Sequence, residues 1–335
     1  MRAGERTRTA VSQGGQNPEG DIMFEREGPL KLLSGSANHP LSEKIGEYLG
    51  IPIGNADVGK FSNGEIRIRI LDNVRGCDVF ILQPTSSPVN DNIMELLLMI
   101  DAARRASARR VTAVVPFYGY SRQDRKERGR EPISAKLVAN LIMSAGAERV
   151  LTIDLHTPQL QGFFDIPVDN LQSAGILAAA IRDKQLDQLM IFSPDARGVH
   201  RARHMAKLLS APLGFIDKRQ PEPGMPEVVN VIGNVRGKSV VILDDLIDTG
   251  ATVARAVQSI RSLGAHGIYA AATHPVFSGE AAGNLSDLAL QAIIVTDTIP
   301  VPAAPERTQL ISVAPLLAEA IMRIHENLSV SRLFE

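Results

Sequence analysis

The chain is predicted to be an α/β protein of two domains, each a mostly parallel sheet flanked by helices. Three observations predict this. Short apolar runs rich in β-branched residues alternate with helical stretches, the pattern of βαβ units. Several runs end abruptly in an acid, a glycine or a threonine, which puts polar residues where ligands of open α/β sheets bind. The 335 residues are also enough for two domains with cores of their own.

Composition removes several classes of function. A net charge of −1 supplies no electrostatic reason for a nucleic-acid partner, which needs clustered Lys and Arg. Cys77 is the one cysteine, so an internal disulfide and any multi-cysteine metal site are excluded. No apolar run approaches the roughly 20 residues that span a bilayer. The first residues lack the apolar core of a signal peptide, so a cytoplasmic protein without membrane attachment is expected. Residues 1–28, polar and without periodicity, read as a disordered N-terminal extension.

Ordered structure is expected from Leu30, in a short strand ending at Ser34-Gly35, followed by a helix over residues 40–48 that stops at Gly50. Ile66, Ile68 and Ile70 alternate with Arg67 and Arg69, marking a half-buried strand with a charged face. The stretch Phe61-Ser62-Asn63-Gly64-Glu65 is the turn before it. Residues 78–82 form the next strand, 92–106 a helix and 111–116 another strand. The loop from Phe117 to Pro132 then carries five cations against three acids, and its place at a strand's carboxyl end suggests an anionic ligand. Phe117 and Tyr118 are candidates to stack on a base.

A helix over 133–144 leads to the strand 149–154, which delivers Asp154-Leu155-His156 to the same edge. His156, just after an acid at a strand tip, is a candidate for metal or phosphate contact. The strand 189–193 ends in Pro194-Asp195-Ala196-Arg197-Gly198 before a basic helix, a second candidate anion nest. After a short strand over 212–216, residues 217–226 are rich in Pro and Gly and read as a mobile loop carrying Lys218 and Arg219. Residues 233–239 resemble a phosphate-binding P-loop, but the spacing is one short and a strand follows, so that reading fails.

The run Val240-Val241-Ile242-Leu243 reads as a buried parallel strand. It breaks into Asp244-Asp245-Leu246-Ile247-Asp248-Thr249-Gly250-Ala251-Thr252 before a helix reaching about residue 263. The Thr249 to Thr252 turn at a helix start can cradle a phosphate. Asp244 and Asp245 carry the wrong sign for that and suit sugar hydroxyls. The plainer alternative is a strand–turn–helix in which Asp248 or Thr249 only caps the helix. Strands near 268–272 and 293–296 and an amphipathic helix over 314–327 complete the chain, whose apolar tail is expected to dock.

This last stretch resembles the phosphoribosyl-diphosphate signature shared by phosphoribosyltransferases and ribose-phosphate diphosphokinases. Four further segments, F-S-N-G-E, Y-S-R-Q-D-R-K, I-D-L-H with Q-G-F-F-D, and S-P-D with G-V-H-R-A-R, are similar to the diphosphokinases alone. The resemblance covers about residues 30–335. It implies two tandem phosphoribosyltransferase-like domains, at 29–166 on the ATP side and 167–335 on the ribose 5-phosphate side, in a homo-oligomer, usually a hexamer. It implies Mg²⁺-dependent transfer of the β,γ-diphosphoryl group of ATP to the C1 hydroxyl of ribose 5-phosphate.

By the same resemblance Arg122, Gln123 and Asp124 belong to the ATP site, with Phe61, Asn63 and Glu65 reaching the adenine from a neighbouring subunit. His156 and Asp195 hold or orient Mg²⁺. Asp244 and Asp245 bind the ribose hydroxyls, and Asp248, Thr249, Gly250, Ala251 and Thr252 the 5-phosphate. Lys218, with Arg219, is the catalytic cation. Three positions depart from the family pattern. Gln220 stands where Lys-x-Arg is usual, Arg197 where the first of two glycines is usual, and Gly250-Ala251 where Ala-Gly is usual. The other readings of the same motifs are a catalytically weak regulatory relative of the synthetases and a phosphoribosyltransferase.

Overall fold

The computed structural model describes residues 28–219, 228–286 and 288–333, with the side chains of residues 218, 219, 228 and 229 outside the description. The expected extension, up to residue 27, and Gln220 lie outside the described residues. In chain order the first half runs β1 (Leu30–Ser34), α1 (His39–Leu49), β2 (Ala56–Lys60), β3 (Ile66–Ile70), β4 (Asp78–Leu82), α2 (Val89–Arg105), β5 (Arg110–Val115), α3 (Ser134–Ala145), β6 (Arg149–Ile153) and β7 (Val168–Leu171). The second half runs α4 (Ala174–Asp183), β8 (Leu189–Ser193), α5 (Val199–Leu208), β9 (Leu213–Arg219), β10 (Val228–Ile232), β11 (Ser239–Ile247), α6 (Ala251–Ser262), β12 (Gly267–Pro275), α7 (Ala281–Ser286), β13 (Ala292–Thr296), β14 (Thr308–Ile311) and α8 (Ala314–His325).

The first sheet has the order β1-β4-β5-β6-β7 and is parallel throughout. All five residues of β4 are buried, as a parallel strand covered on both faces requires. The alternating residues of β3 pair instead with β2 in a separate antiparallel ribbon, so Arg67 and Arg69 stay exposed while Ile68 and Ile70 pack on the first core. β2 was not foreseen, because Ala56-Asp57-Val58-Gly59-Lys60 has too little apolar alternation to announce a strand. Helix α1 begins with Asn38 accepting from the Leu41 amide and ends at Gly50 with φ 67°.

Strand β7 pairs with β6 and closes the first sheet's edge, so that sheet reaches Leu171, beyond the boundary expected after residue 166. Helix α8 then crosses back. Val313, Leu317, Ile321 and Ile324 pack with Leu32, Leu41, Ile45 and Phe80, so the last helix covers one face of the first sheet, and Val330 and Leu333 dock on the same core. Helix α1 cannot cover that face alone, and the C-terminal segment supplies the missing apolar stripe.

The return is pinned electrostatically. Asp78 is fully buried, accepts from Arg110 Nε at 2.8 Å, and meets His325 Nδ1 of the C-terminal end of α8 at 2.9 Å. Removing one member leaves a buried charge without its partner, which costs about 3–5 kcal/mol. Arg110→Ala is therefore expected to lower the melting temperature by several degrees, and a shift below one degree in a thermal melt would show that the pair contributes nothing net.

The second sheet has the order β10-β9-β8-β11-β12-β13-β14, parallel except for the β9–β10 pair. Residues 217–219, expected in a mobile loop, instead extend β9, with Asp217, Lys218 and Arg219 opposite Asn230, Val229 and Val228. An antiparallel neighbour extends the ladder past the point where local sequence would end it. A parallel neighbour, β12, lengthens β11 in the same way. Its pairing with β12 runs to Ile247 opposite Pro275, so Asp244 and Asp245 lie within the strand and not in a loop after it.

Candidate active site

The site starts from the carboxyl end of β11. Asp244 and Asp245 sit side by side, and the guanidinium of Arg201, from α5, stands between them at 3.4 Å from Asp244 Oδ1 and 3.3 Å from Asp245 Oδ1. His156, from the loop after β6, meets Asp245 Oδ2 through Nδ1 at 2.6 Å. Two neighbouring acids in a poorly solvated place cannot share charge equally. Burial, then the charge of Asp245, pushes the Asp244 carboxyl well above its ordinary range, with Arg201 acting against them. Burial also pushes Asp245 upward, but the hydrogen bond to His156 and the charge of Arg201 outweigh it and hold Asp245 well below.

The loop beyond the acids leads into α6 through Gly250, whose φ is +78° and whose place would bring a Cβ within 2.9 Å of Leu285 Cγ. The N-cap position of α6 is Gly250, which has no side chain to bond the first amides. Thr249 Oγ1 accepts only a long 3.5 Å contact from the Ala251 amide, and Asn284 fixes the loop by donating to the Thr249 carbonyl. Asp248 is occupied on both sides. Ser278 Oγ donates to its Oδ1, and Arg122 Nη2, from the first half of the chain, lies 2.8 Å from its Oδ2. Thr252 lies in the first turn of α6.

Arg122, Gln123 and Asp124 follow β5 and α3 follows them. Gln123 Oε1 accepts from Ser134 Oγ at 2.6 Å, and Asp124 Oδ2 accepts from Thr157 Oγ1 at 2.8 Å, which ties this loop to the residue after His156. Phe117 and Tyr118, the candidates to stack on a base, are instead packed inside the protein. Both are buried, Tyr118 donating to the Ala135 carbonyl and Phe117 packing edge-on against His274, because the aromatic pair closes the sheet end beneath the loop. Phe61, Asn63 and Glu65 lie on the exposed turn between β2 and β3, where Asn63 Oδ1 accepts from the Glu65 amide, and no described contact joins them to Arg122–Asp124 within one chain.

Asp195 Oδ1 accepts from the Gly198 amide at 2.9 Å and Ser193 Oγ donates to the Asp195 carbonyl, which folds the 195–198 loop on itself. A Cβ at Gly198 would lie 2.6 Å from Ser193 Oγ, whereas Arg197 is exposed, so the glycine that the loop needs is the one this chain keeps. Among the described residues no three His, Cys, Asp or Glu side chains converge as a metal site, and no hydrogen bond joins His156 to Asp195. Lys218 and Arg219 end β9, their side chains outside the description. Arg201 and Ser278 were not singled out in the sequence. Their signal lay in their places, one turn into the helix after an acid-ended strand and just past the strand beside β11.

The carboxyl ends of the two sheets thus carry paired acids, a helix start and a cationic loop, joined through His156 to Asp245 and Arg122 to Asp248, the arrangement of an α/β protein that binds its ligands where its strands end. The N-terminal domain of ribose phosphate pyrophosphokinase matches residues 30–146, and the phosphoribosyl synthetase-associated domain matches residues 186–335. A ribose-phosphate pyrophosphokinase of Oceanobacillus iheyensis is 49% identical over 312 residues, covering 92% of this chain and 98% of that one. One of Thermotoga maritima is 51% identical over 316 residues, covering 93% and 100%. The crystal structure of phosphoribosylpyrophosphate synthetase from Mycobacterium smegmatis superposes with a TM-score of 0.84 at 42% identity, over 89% of this chain and 99% of that one. The chain belongs to the ribose-phosphate pyrophosphokinase family, and its fold is two tandem phosphoribosyltransferase-like domains.

Proposed function

We propose that the cleft transfers the β,γ-diphosphoryl group of ATP to ribose 5-phosphate, giving 5-phosphoribosyl 1-diphosphate and AMP. The C1 oxygen bonds to the β-phosphorus, and the α,β-bridging oxygen leaves with AMP. The observation that carries this is the joining of the two halves at the acids: His156 reaches Asp245 and Arg122 reaches Asp248, so a nucleotide on one half faces a sugar on the other.

Asp244 and Asp245 accept hydrogen bonds from the ribose hydroxyls, and the amides of residues 249–252, after Asp248, take the 5-phosphate. Arg122, Gln123 and Asp124 line the ATP side. Phe61, Asn63 and Glu65, exposed on their turn, reach the adenine of a second copy in a homo-oligomer, a hexamer by family resemblance. Lys218 and Arg219 neutralise charge on the phosphate oxygens. Mg²⁺ commonly takes one or two carboxylates together with substrate phosphates and water, so Asp195 and His156 would hold or orient it without an all-protein cage. When bound, the ion supplies charge neutralisation across the phosphates. No described helix is long and apolar enough to cross a membrane, which fits the cytoplasmic placement we infer.

Purified chain incubated with ATP, Mg²⁺ and ribose 5-phosphate is expected to form AMP and 5-phosphoribosyl 1-diphosphate in equal amounts, read by anion-exchange chromatography. Formation of ADP, or no AMP, overturns the reading. Diphosphate released from 5-phosphoribosyl 1-diphosphate and a nucleobase would instead identify a transferase.

A further inference from the structure

Asp154 follows β6, an interior strand of the first sheet, with an uncommon left-handed backbone, φ 43°, two residues before His156. Its carboxylate makes no ion pair among the described residues. Oδ2 instead accepts from the Ser173 amide at 3.1 Å, from Ser173 Oγ at 2.6 Å and from Thr273 Oγ1 at 2.7 Å. Its carbonyl oxygen lies 3.2 Å from His274 Nε2, whose Nδ1 meets Thr298 Oγ1 at 2.9 Å. Ser173, Thr273, His274 and Thr298 are all at most 3% exposed, so this is a fixed polar joint and not a surface contact.

The joint links the two strands that carry the site. Thr273 and His274 lie on β12, paired with β11 through Asp244 opposite Ala272 and Leu246 opposite His274. Asp154 follows β6 and leads directly into the His156 loop. Asp154, Ser173, Thr273, Arg201 and Asp244 also line one cavity of about 20 Å³, room for a single water molecule. Asp154 therefore shares a small cavity with Asp244, walled also by Leu177, Met205 and Leu243.

We propose that Asp154, clamped by Thr273 and Ser173, is a positioning residue of the reaction: it sets where the His156 loop stands against Asp245. The left-handed turn at Asp154 aims the loop, and the hydroxyl of Thr273 fixes that turn to the strand next to β11. The proposal rests on the diphosphoryl transfer given above, and Thr273 itself touches no substrate.

Thr273→Val keeps the volume and removes the donor, while Thr273→Ser keeps the donor. Thr273→Val is expected to lower kcat for AMP formation by about 10- to 100-fold, the cost of a misplaced catalytic group, with KM for ATP within about twofold. Thr273→Ser is expected to restore kcat to within about threefold of the unaltered chain. A second readout does not need turnover: the imidazole NMR resonance of His156, assigned by its loss in His156→Asn, shifts in Thr273→Val and returns in Thr273→Ser. Should Thr273→Val not fold, Ser173→Ala removes a different donor from the same oxygen and is expected to act alike. Unchanged kcat and an unmoved His156 resonance, or failure of Thr273→Ser to restore them, overturns the proposal. An inactive unaltered chain whose His156 resonance still follows Thr273 would overturn the transfer reading and leave the joint standing.

Discussion

At pH 8, Asp245→Asn lowers the melting temperature of the ligand-free chain and Asp244→Asn raises it, each by a few degrees, although both lower AMP formation by about 100-fold. The opposite signs follow from the site's electrostatics. Asp245 is held below its ordinary value of 3.8 although burial pushes it up, because His156 and Arg201 favour its charge. An acid with a lowered value stabilises the fold above its ordinary value, and that contribution is lost as pH falls. Its amide substitute gives that up and leaves Arg201 and His156 with a neutral partner.

Asp244 is the reverse case. Burial and the neighbouring charge raise it well above 3.8, so its ionised form costs the folded state. Stability from such an acid is complete below its ordinary value and is lost as pH rises through the raised one. A neutral Asn removes this cost, a trade of stability against function common at binding sites. Activity is expected to fall in both because, under the proposed function, each side chain is lost as a carboxylate acceptor for the sugar, worth about 1.5–3 kcal/mol per hydrogen bond. Thermal melts at pH 8 and at pH 5 check the signs, and the gain from Asp244→Asn should shrink at the lower pH. Equal falls in both variants would sink this account of the pair.

What the sequence showed depended on how local the cause was. The acids, the Thr-Gly-Ala-Thr turn and the strand before them were legible because an apolar β-branched run and its polar stop need no partner to be recognised. That the acids lie within β11 was not legible, since β12 extends the strand. Arg201 was hidden among Arg197, His200 and Arg203, and only the burial of Ala202, Met205 and Ala206 shows which way the helix turns and leaves Arg201 half-buried beside the acids. Phe117 and Tyr118 misled because aromatics at a strand end serve equally to stack on a base or to seal a core. The crossing of α8 was beyond local reading altogether, because its apolar stripe says that something is covered, not which sheet.

The largest loss of rate is expected from Lys218→Ala, about 1,000-fold in kcat, because charge that spreads over phosphate oxygens in the transition state needs cations brought to it. KM should change little, since an interaction made mainly in the transition state lowers kcat and kcat/KM together. The backbone places Lys218 near the end of β9, paired with Val229 of the edge strand β10. The usual Lys-x-Arg pattern supplies two cations, and Gln220 leaves Lys218 the only one of the two positions charged. Gln220→Arg is therefore expected to raise kcat about 10-fold, with Gln220→Lys giving less, because a guanidinium can bind two phosphate oxygens at once and an ammonium acts as a point charge. Steady-state AMP formation at saturating ATP and ribose 5-phosphate measures both changes. If Gln220→Arg leaves kcat unchanged while Lys218→Ala removes it, one cation suffices at this position, and Arg219 becomes the next residue to replace.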